Sequence, residues 1–174
     1  MSNVQYFDAH THVHFAAYDA DRSDTVNRAR DAGVAMNTVG TQLDTSTAAV
    51  ALAEQYDMVW ATVGLHPVHT AQSYHDTKEL GEEGAAFTSH GELFDVEAYR
   101  ALARHPKVIA IGECGLDYYR VDESTKEVQK QAFIDQIKLA NEVNKPLMLH
   151  IRQGQGDAHA YDDALELLRQ YATV

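Results

Sequence analysis

The chain has 174 residues and a formal charge of −12 at pH 7, from 26 acidic and 14 basic side chains. Hydrophobic residues make up 45% of it and charged residues 23%, which is typical of globular proteins and excludes disordered and fibrous classes. The excess of acidic residues excludes a broad basic face that binds long nucleic acids. An anionic substrate must therefore be contacted locally, through metal ions that offset the carboxylates.

No feature of the sequence indicates export or membrane insertion. The longest apolar run is far too short to span a bilayer, and the first residues lack the basic and apolar regions of a secretory signal. A single cysteine, Cys114, cannot form an internal disulfide, which fits a reducing compartment. We therefore expect a cytoplasmic protein without a membrane partner, folded as a single domain over residues 1–174.

Short apolar segments alternate with helical patterns along the chain. The predicted strands are rich in Val, Ile, Met and Ala, and we expect them to be buried on both faces. They are Val4–Asp8, Val34–Gly40, Met58–Gly64, Val108–Gly112 and Leu147–Ile151. The predicted helices are Asp21–Ala32, Thr45–Gln55, Glu92–Arg104, Thr125–Val143 and Asp162–Tyr171.

This β-α order, repeated five times, predicts a parallel sheet. Two architectures remain open. A doubly wound open sheet would be complete with five units, whereas a (β/α)8 barrel of roughly 250 residues would lack about three. The polar segment His66–Gly91 contains four histidines and is predicted to form a long active-site loop with an insertion.

His10 and His12 follow the first predicted strand with a spacing of two. Residues at i and i+2 of a strand face the same way, so both imidazoles can reach one metal ion. Asp8 points to the same side and is expected to orient them as a hydrogen-bond acceptor. A polar strand end with solvated histidines is the alternative.

Glu113 and His150 each interrupt an apolar run near the carboxyl end of a predicted strand. A carboxylate leaving such a run is costly unless it is paired or bound to a cation, and its two oxygens suit a bridge between two ions. A loop carboxylate and a satisfied core histidine are the alternatives. In parallel α/β folds these strand ends form the face where active sites lie.

Other chemistries lack their residues. No serine lies in a nucleophile elbow, Cys114 has no evident base, and Gly112 and Gly115 do not form a dinucleotide-binding glycine motif. Metal-assisted hydrolysis is the remaining interpretation.

Four segments, F-D-A-H-T-H, V-G-L-H-P, I-G-E-C-G-L-D-Y-Y and N-K-P-L-M-L-H-I-R, occur in this order. Together they resemble the TatD family of metal-dependent deoxyribonucleases and hydrolases, over nearly the whole chain. The resemblance implies a TIM-type (β/α)8 barrel, with one or two divalent ions (Mg, Mn or Zn), that hydrolyses phosphodiester bonds in DNA or in a small phosphoester.

The resemblance also implies roles for individual residues. The metal ligands are His10, His12, Glu113 and His150, and Glu113 is also the catalytic carboxylate. The substrate-binding residues are His66, Arg152 and Asp117. A guanidinium at Arg152 would hold a phosphate oxygen.

The sequence departs from the family pattern in two ways. The histidine after G-L-H-P is displaced by one residue, to His69, and nothing matches the strand-six histidine or the strand-eight aspartate of the family. We therefore expect about five βα units of an incomplete barrel. The chain alone should bind metal weakly, show no nuclease turnover, and self-associate through its open edge.

Two other functions remain open. An amidohydrolase acting on C–N bonds would commonly carry a bridging lysine on strand four, where this chain has Glu113. A non-catalytic metal-binding fragment is the second alternative.

Overall fold

A computed structural model describes residues 4–75, 87–119, 123–154 and 159–173. The strands are β1 (Tyr6–Thr11), β2 (Val34–Val39), β3 (Val59–Val63), β4 (Gln72–His75), β5 (Phe87–His90), β6 (Val108–Asp117) and β7 (Leu147–Arg152). The α-helices are α1 (Arg22–Asp31), α2 (Leu43–Gln55), α3 (Val96–Ala103), α4 (Lys126–Val143) and α5 (Ala160–Tyr171). Short 3-10 helices cover Ala16–Tyr18, Pro67–His69 and Glu123–Thr125.

Five strands form one parallel sheet in the order β1-β2-β3-β6-β7, which confirms the predicted βα succession. The sheet curls into part of a barrel with the helices packed against it. Because every strand runs the same way, all five carboxyl ends lie at one rim of the sheet. The strands therefore bring His10, His66, Glu113 and His150 to the same face of the molecule.

The apolar core lies between the sheet and its helices. Its largest cluster includes Met36 of β2, Val63 of β3, the buried face of α2, and Tyr99 of α3. A second cluster surrounds Phe133 and Ile137 of α4, which pack with Leu116 of β6 and Ala164 of α5. Helix α4 therefore connects the middle of the sheet to its β7 edge.

The expectation that all strands are buried on both faces is wrong for the two edge strands. Tyr6 and Phe7 of β1 are 66% and 47% exposed, and Leu149 of β7 is 44% exposed. Each edge strand pairs with a neighbour on one side only, and consecutive residues of β1, which face opposite sides of the sheet, are both exposed. The central strands β2, β3 and β6 are largely buried, as predicted.

Strand β6 is longer than predicted, so Glu113 lies inside it rather than at its end. Gly112 and Gly115 have positive φ angles of 143° and 140°, and a side chain at either position would collide with a carbonyl oxygen of β7. The β6–β7 register shifts between Gly112 and Cys114, which makes Glu113 the extra residue of a bulge. Glycine therefore lets the strand continue to Asp117 while it turns the Glu113 side chain toward the rim.

The segment His66–Gly91, predicted as a long active-site loop with an insertion, contains regular elements in its described part. Pro67–His69 form a 3-10 turn, and β4 pairs with β5 in an antiparallel hairpin. Residues 76–86 of this segment lie outside the described residues.

Helix α3 begins at Val96, later than predicted, because Asp95 caps it. The Asp95 carboxylate accepts hydrogen bonds from the amides of Glu97 and Ala98, both at 3.1 Å. Glu92, predicted to begin this helix, lies before it. Its carboxylate accepts hydrogen bonds from the Tyr99 hydroxyl and from the Leu43 amide at the start of α2.

None of the described helices combines the length and the apolar character that crossing a bilayer requires.

Lys107 ties the start of β6 to the chain around β3. Its ammonium group donates hydrogen bonds to the carbonyls of Tyr56, Asp57 and Val59 at 2.8, 3.0 and 3.1 Å. These carbonyls lie just beyond the carboxyl end of α2, where a cation is favoured. The lysine therefore fixes the turn that aligns β3 with β6.

We expect Lys107→Met to lower the free energy of unfolding by about 1–3 kcal/mol, because it removes charged donors from three carbonyls but keeps the apolar stem. Urea denaturation would measure this through a lower midpoint at an unchanged slope. Arg30→Met, which breaks only an exposed pair with Asp31, is the control and should change stability by less than about 0.5 kcal/mol. An equal loss in both variants would contradict the assignment.

Candidate metal centre

His10 lies in an irregular part of β1, and His12 lies just beyond the end of this strand. The β1–β2 register shifts in the segment that contains His10, and His12 follows the strand end directly. The Asn37 amide donates a hydrogen bond to the Ala9 carbonyl at 3.0 Å, and the Thr11 hydroxyl donates one to the Asn37 carbonyl at 3.1 Å. Asn37 thus holds the chain on both sides of His10.

Strand β2 also fixes the rings that follow. His12 Nδ1 donates a hydrogen bond to the Val39 carbonyl at 2.8 Å, and His14 Nδ1 shares a proton with the Thr38 hydroxyl at 2.6 Å. Burial lowers the pKa of His12 and takes that of His14 to about 3, so both rings are neutral at pH 7. With its proton held on Nδ1, His12 presents the Nε2 lone pair, which a metal ligand needs.

Asp8 does not orient an imidazole, contrary to expectation. The described hydrogen bond of its carboxylate is with the backbone amide of His10, at 3.2 Å. The carbonyl of Val39 takes the orienting role for His12 instead.

Glu113 is the centre of the cluster, with its side chain only 12% exposed. Its two oxygens lie 3.2 Å from His10 Nε2, 3.1 Å from His150 Nδ1 and 3.6 Å from His66 Nε2. Burial would raise the pKa of Glu113, but hydrogen bonds from His10 and His150 outweigh burial and hold that pKa below its usual range. The hydrogen bond with Glu113 also raises the pKa of His10. The centre therefore contains a true carboxylate.

His150 lies between two carboxylates. Its Nε2 is 3.0 Å from Asp117 Oδ2, opposite the Nδ1 contact with Glu113. Burial opposes protonation of this ring, but the hydrogen bonds with Asp117 and Glu113 prevail and raise the pKa of His150 to about 9. His150 could hold a cation through Nδ1, and Asp117 would then keep the proton on Nε2, as carboxylates do for metal-binding histidines.

Asp117 was expected to bind substrate, but its side chain is fully buried behind His150. Its second oxygen accepts a hydrogen bond from the Tyr119 amide at 3.0 Å. In this position the Asp117 carboxylate is placed to orient the His150 ring, and its oxygens are not exposed to solvent.

His66 follows β3 and caps the short 3-10 turn after it. Its Nδ1 accepts a hydrogen bond from the Val68 amide at 3.2 Å, and burial lowers its pKa to about 3. A neutral imidazole that accepts at Nδ1 carries its proton on Nε2. The nitrogen that faces Glu113 is therefore a donor rather than a free lone pair.

The described residues contain two groups with the spacing of a metal site, and both include Glu113. One is His10, His12 and Glu113, and the other is His66, Glu113 and His150; within each group the ligand atoms lie within 4.8 Å of one another. Nitrogen and carboxylate donors at this spacing fit one ion, or two that share Glu113.

Two buried glutamines of α4 position the rim, and the sequence analysis did not identify them. Gln136 exchanges hydrogen bonds with the backbone N–H and C=O of Leu65 at 2.9 and 3.0 Å. Gln129 does the same with Asp117, at 2.8 and 3.1 Å. Their seven-residue spacing puts both side chains on one face of the helix, and this spacing could have been recognised in the sequence.

Arg152, the last residue of β7, lies beside the exposed Tyr119. The guanidinium carbon is 4.2 Å from the centroid of the Tyr119 ring. The structure thus brings together His10, His12, Glu113, His66 and His150, and places Arg152 at the neighbouring strand end.

Comparisons with known proteins agree with this geometry. The family model described as TatD related DNase matches residues 7–174. YabD of Bacillus subtilis, called an uncharacterized metal-dependent hydrolase, is 37% identical over 152 residues, or 87% of this chain and 52% of the relative. The Escherichia coli protein called 3'-5' ssDNA/RNA exonuclease TatD is 38% identical over 154 residues, or 88% of this chain and 50% of the relative.

A solved structure shows the same fold. The crystal structure of YJJV, a TatD homologue from Escherichia coli, superposes with a TM-score of 0.70 at 26% identity, over 97% of this chain and 56% of that one. This likeness favours part of a TIM-type barrel over a complete doubly wound sheet. The chain spans about half the length of the curated relatives it matches. With the family model matched from Phe7 onward and these identities to curated relatives, the chain belongs to the family of TatD-related DNases.

Proposed function

We propose that this chain contributes the metal centre of a hydrolase that cleaves phosphodiester bonds. The observation that carries the proposal is the convergence of His10 and His150 on a mostly buried carboxylate, Glu113, with His12 beside them. A buried carboxylate among imidazoles at the carboxyl rim of parallel strands is suited to hold a divalent cation.

The donor set bears on the identity of the ion. Three imidazoles and one carboxylate favour Zn or Mn over Mg, which prefers oxygen ligands and keeps its waters. His10 and His12 would hold one ion through Nε2, and His150 a second through Nδ1, with Glu113 between them. The bound ion would lower the pKa of a water and polarise a phosphoryl oxygen.

The residues around the ligands have separate roles in this proposal. Val39 and Asp117 keep protons on the far nitrogens of His12 and His150, so that their other nitrogens face the ion. His66 donates its Nε2–H toward the centre, where it would bind a phosphate oxygen or the attacking water. Arg152 contributes positive charge for the phosphate.

The substrate assignment draws on the relatives. Those named as 3'-5' ssDNA/RNA exonucleases act on nucleic acid by their name, and we propose a DNA strand or a small phosphodiester for this centre. A chain with net charge −12 attracts no polyanion at long range, so recognition must depend on the ions and the few cations at the rim.

Two further parts of the proposal concern the whole molecule. A cytoplasmic location is supported by the single free, buried thiol of Cys114. Self-association remains a prediction and is supported by the exposed Tyr6, Phe7 and Leu149 on the edge strands.

Metal binding is the first test of the centre. We expect the double variant His10→Ala, His12→Ala to bind Mn or Zn more than about tenfold more weakly, because two nitrogen ligands are lost. Isothermal titration calorimetry measures the affinity. His159→Ala, which removes an exposed histidine at the start of α5, is the matched control and should leave affinity unchanged. Equal affinity in the double variant and the control would refute the ligand assignment.

The two candidate roles of His66 predict different affinities. Because its proton lies on Nε2, we expect His66→Gln to leave metal affinity within about twofold, whereas His150→Gln should lower it more than about tenfold. Calorimetry on both variants would compare them. A loss in His66→Gln as large as in His150→Gln would mean that His66 is a ligand.

Hydrolysis is the third test. Metal-dependent release of nitrophenol from bis(p-nitrophenyl) phosphate would be measured for this chain alone and for the chain joined to the second half of YabD, since the chain spans 52% of that relative. We expect slow or no turnover by the chain alone and turnover in the joined protein. Glu113→Gln should reduce turnover at least about 100-fold, because the carboxylate holding the ions is lost. Full metal-dependent turnover in Glu113→Gln would falsify the proposal.

A further inference from the structure

Tyr119 is an exposed aromatic side chain fixed next to the metal centre. Its side chain is 53% exposed although it follows β6 by only two residues. Its amide donates a hydrogen bond to Asp117, whose other oxygen contacts His150, so two hydrogen bonds join its backbone to a metal ligand. The neighbouring Tyr118 amide donates to the Arg152 carbonyl at 3.0 Å, which holds the two strand ends together.

Arg152 covers the Tyr119 ring at 4.2 Å. This contact is a cation–π pair, and it keeps the ring in a defined orientation. Within the described part of the chain, the Arg152 guanidinium makes no salt bridge, in a protein with 26 acidic residues. No described carboxylate therefore neutralises its charge, and the guanidinium can pair with a phosphate.

An exposed aromatic face with an unneutralised arginine is the chemistry that binds an unpaired nucleotide. The ring stacks on the base, and the guanidinium contacts the phosphate. A duplex keeps its bases stacked inside, so such a platform selects single strands. The acidic chain favours this mode as well, because stacking on a neutral base face needs no broad positive potential.

We infer that Tyr119, backed by Arg152, is a stacking subsite for a nucleobase of single-stranded nucleic acid beside the metal centre. The inference rests on the proposed function, since it adds a base-binding residue to that same centre. In this subsite Arg152 contacts the phosphate, and Tyr119 makes binding depend on the presence of a base.

Fluorescence anisotropy on the chain in the presence of Mn tests the subsite. One labelled probe is a single strand of about six thymidines, and the other is a strand of equal length with abasic sugars throughout. We expect Tyr119→Ala to weaken binding of the thymidine strand about 5- to 150-fold and to change binding of the abasic strand less than about twofold. Tyr119→Trp should retain base-dependent binding, and a thymidine strand paired in a duplex should bind like the abasic one.

Two controls separate stacking from general effects. Tyr161→Ala removes an aromatic side chain that is 56% exposed on α5, and it should leave both probes unaffected. Arg152→Ala should weaken both probes, because both carry phosphates. Electrophoresis after each titration verifies that the strands are intact.

Three results would overturn the inference: equal binding of thymidine and abasic strands by the unaltered chain, no effect of Tyr119→Ala, or an equal loss on both strands. None of them bears on the ligand assignment, which metal calorimetry measures without any nucleic acid. Base-dependent binding by a chain that fails the calorimetric test would retain the subsite and reject the metal centre.

Discussion

The structure at the rim depends on how one carboxylate is neutralised. Glu113 is turned inward by a bulge and is only 12% exposed, and a negative charge in that position is costly without a positive partner. Imidazoles from β1, from the turn after β3 and from β7 surround it, so the correct relative placement of three separate elements is required. In the proposed centre, protons and divalent cations would compete for the same nitrogens around this charge, so the metal affinity would depend on pH.

Some side chains face the proposed centre, and other groups behind them hold those side chains in orientation. Each proposed ligand nitrogen on His12 and His150 has its opposite ring nitrogen held by a carbonyl or a carboxylate. These contacts decide which nitrogen carries the proton, and hence whether the ring acts as a ligand or as a donor. His66 shows the reverse case, because a backbone amide at Nδ1 makes it a donor.

The order of elements and the convergence of His10, Glu113 and His150 could be predicted from the sequence, because buried parallel strands produce continuous apolar runs and these residues interrupt or follow them. The local geometry could not be predicted from the sequence. The bulge that places Glu113 inside β6 depends on backbone angles at Gly112 and Gly115, which a strand pattern does not show. The burial of Asp117 depends on a contact with His150 from a strand 33 residues away. The exposure of β1 and β7 follows from their position at the two edges of the sheet, which depends on the order of all five strands.

Helix α4 holds the rim on both sides of Glu113 through Gln136 at Leu65, next to His66, and through Gln129 at Asp117, behind His150. Because a single helix sets both anchor points, the gap between the backbone segments that carry His66 and His150 is fixed by two helical turns, and it brings the two rings into contact with their centroids 4.1 Å apart. A small slide of α4 along its axis would shift both anchors together and keep the gap constant, whereas a kink between the two glutamines would open or close it. For the design of variants, the stretch from Gln129 to Gln136 therefore sets the spacing of the candidate site: a core change at Phe133, which lies between the two glutamines, would alter the separation of His66 and His150 without replacing either histidine.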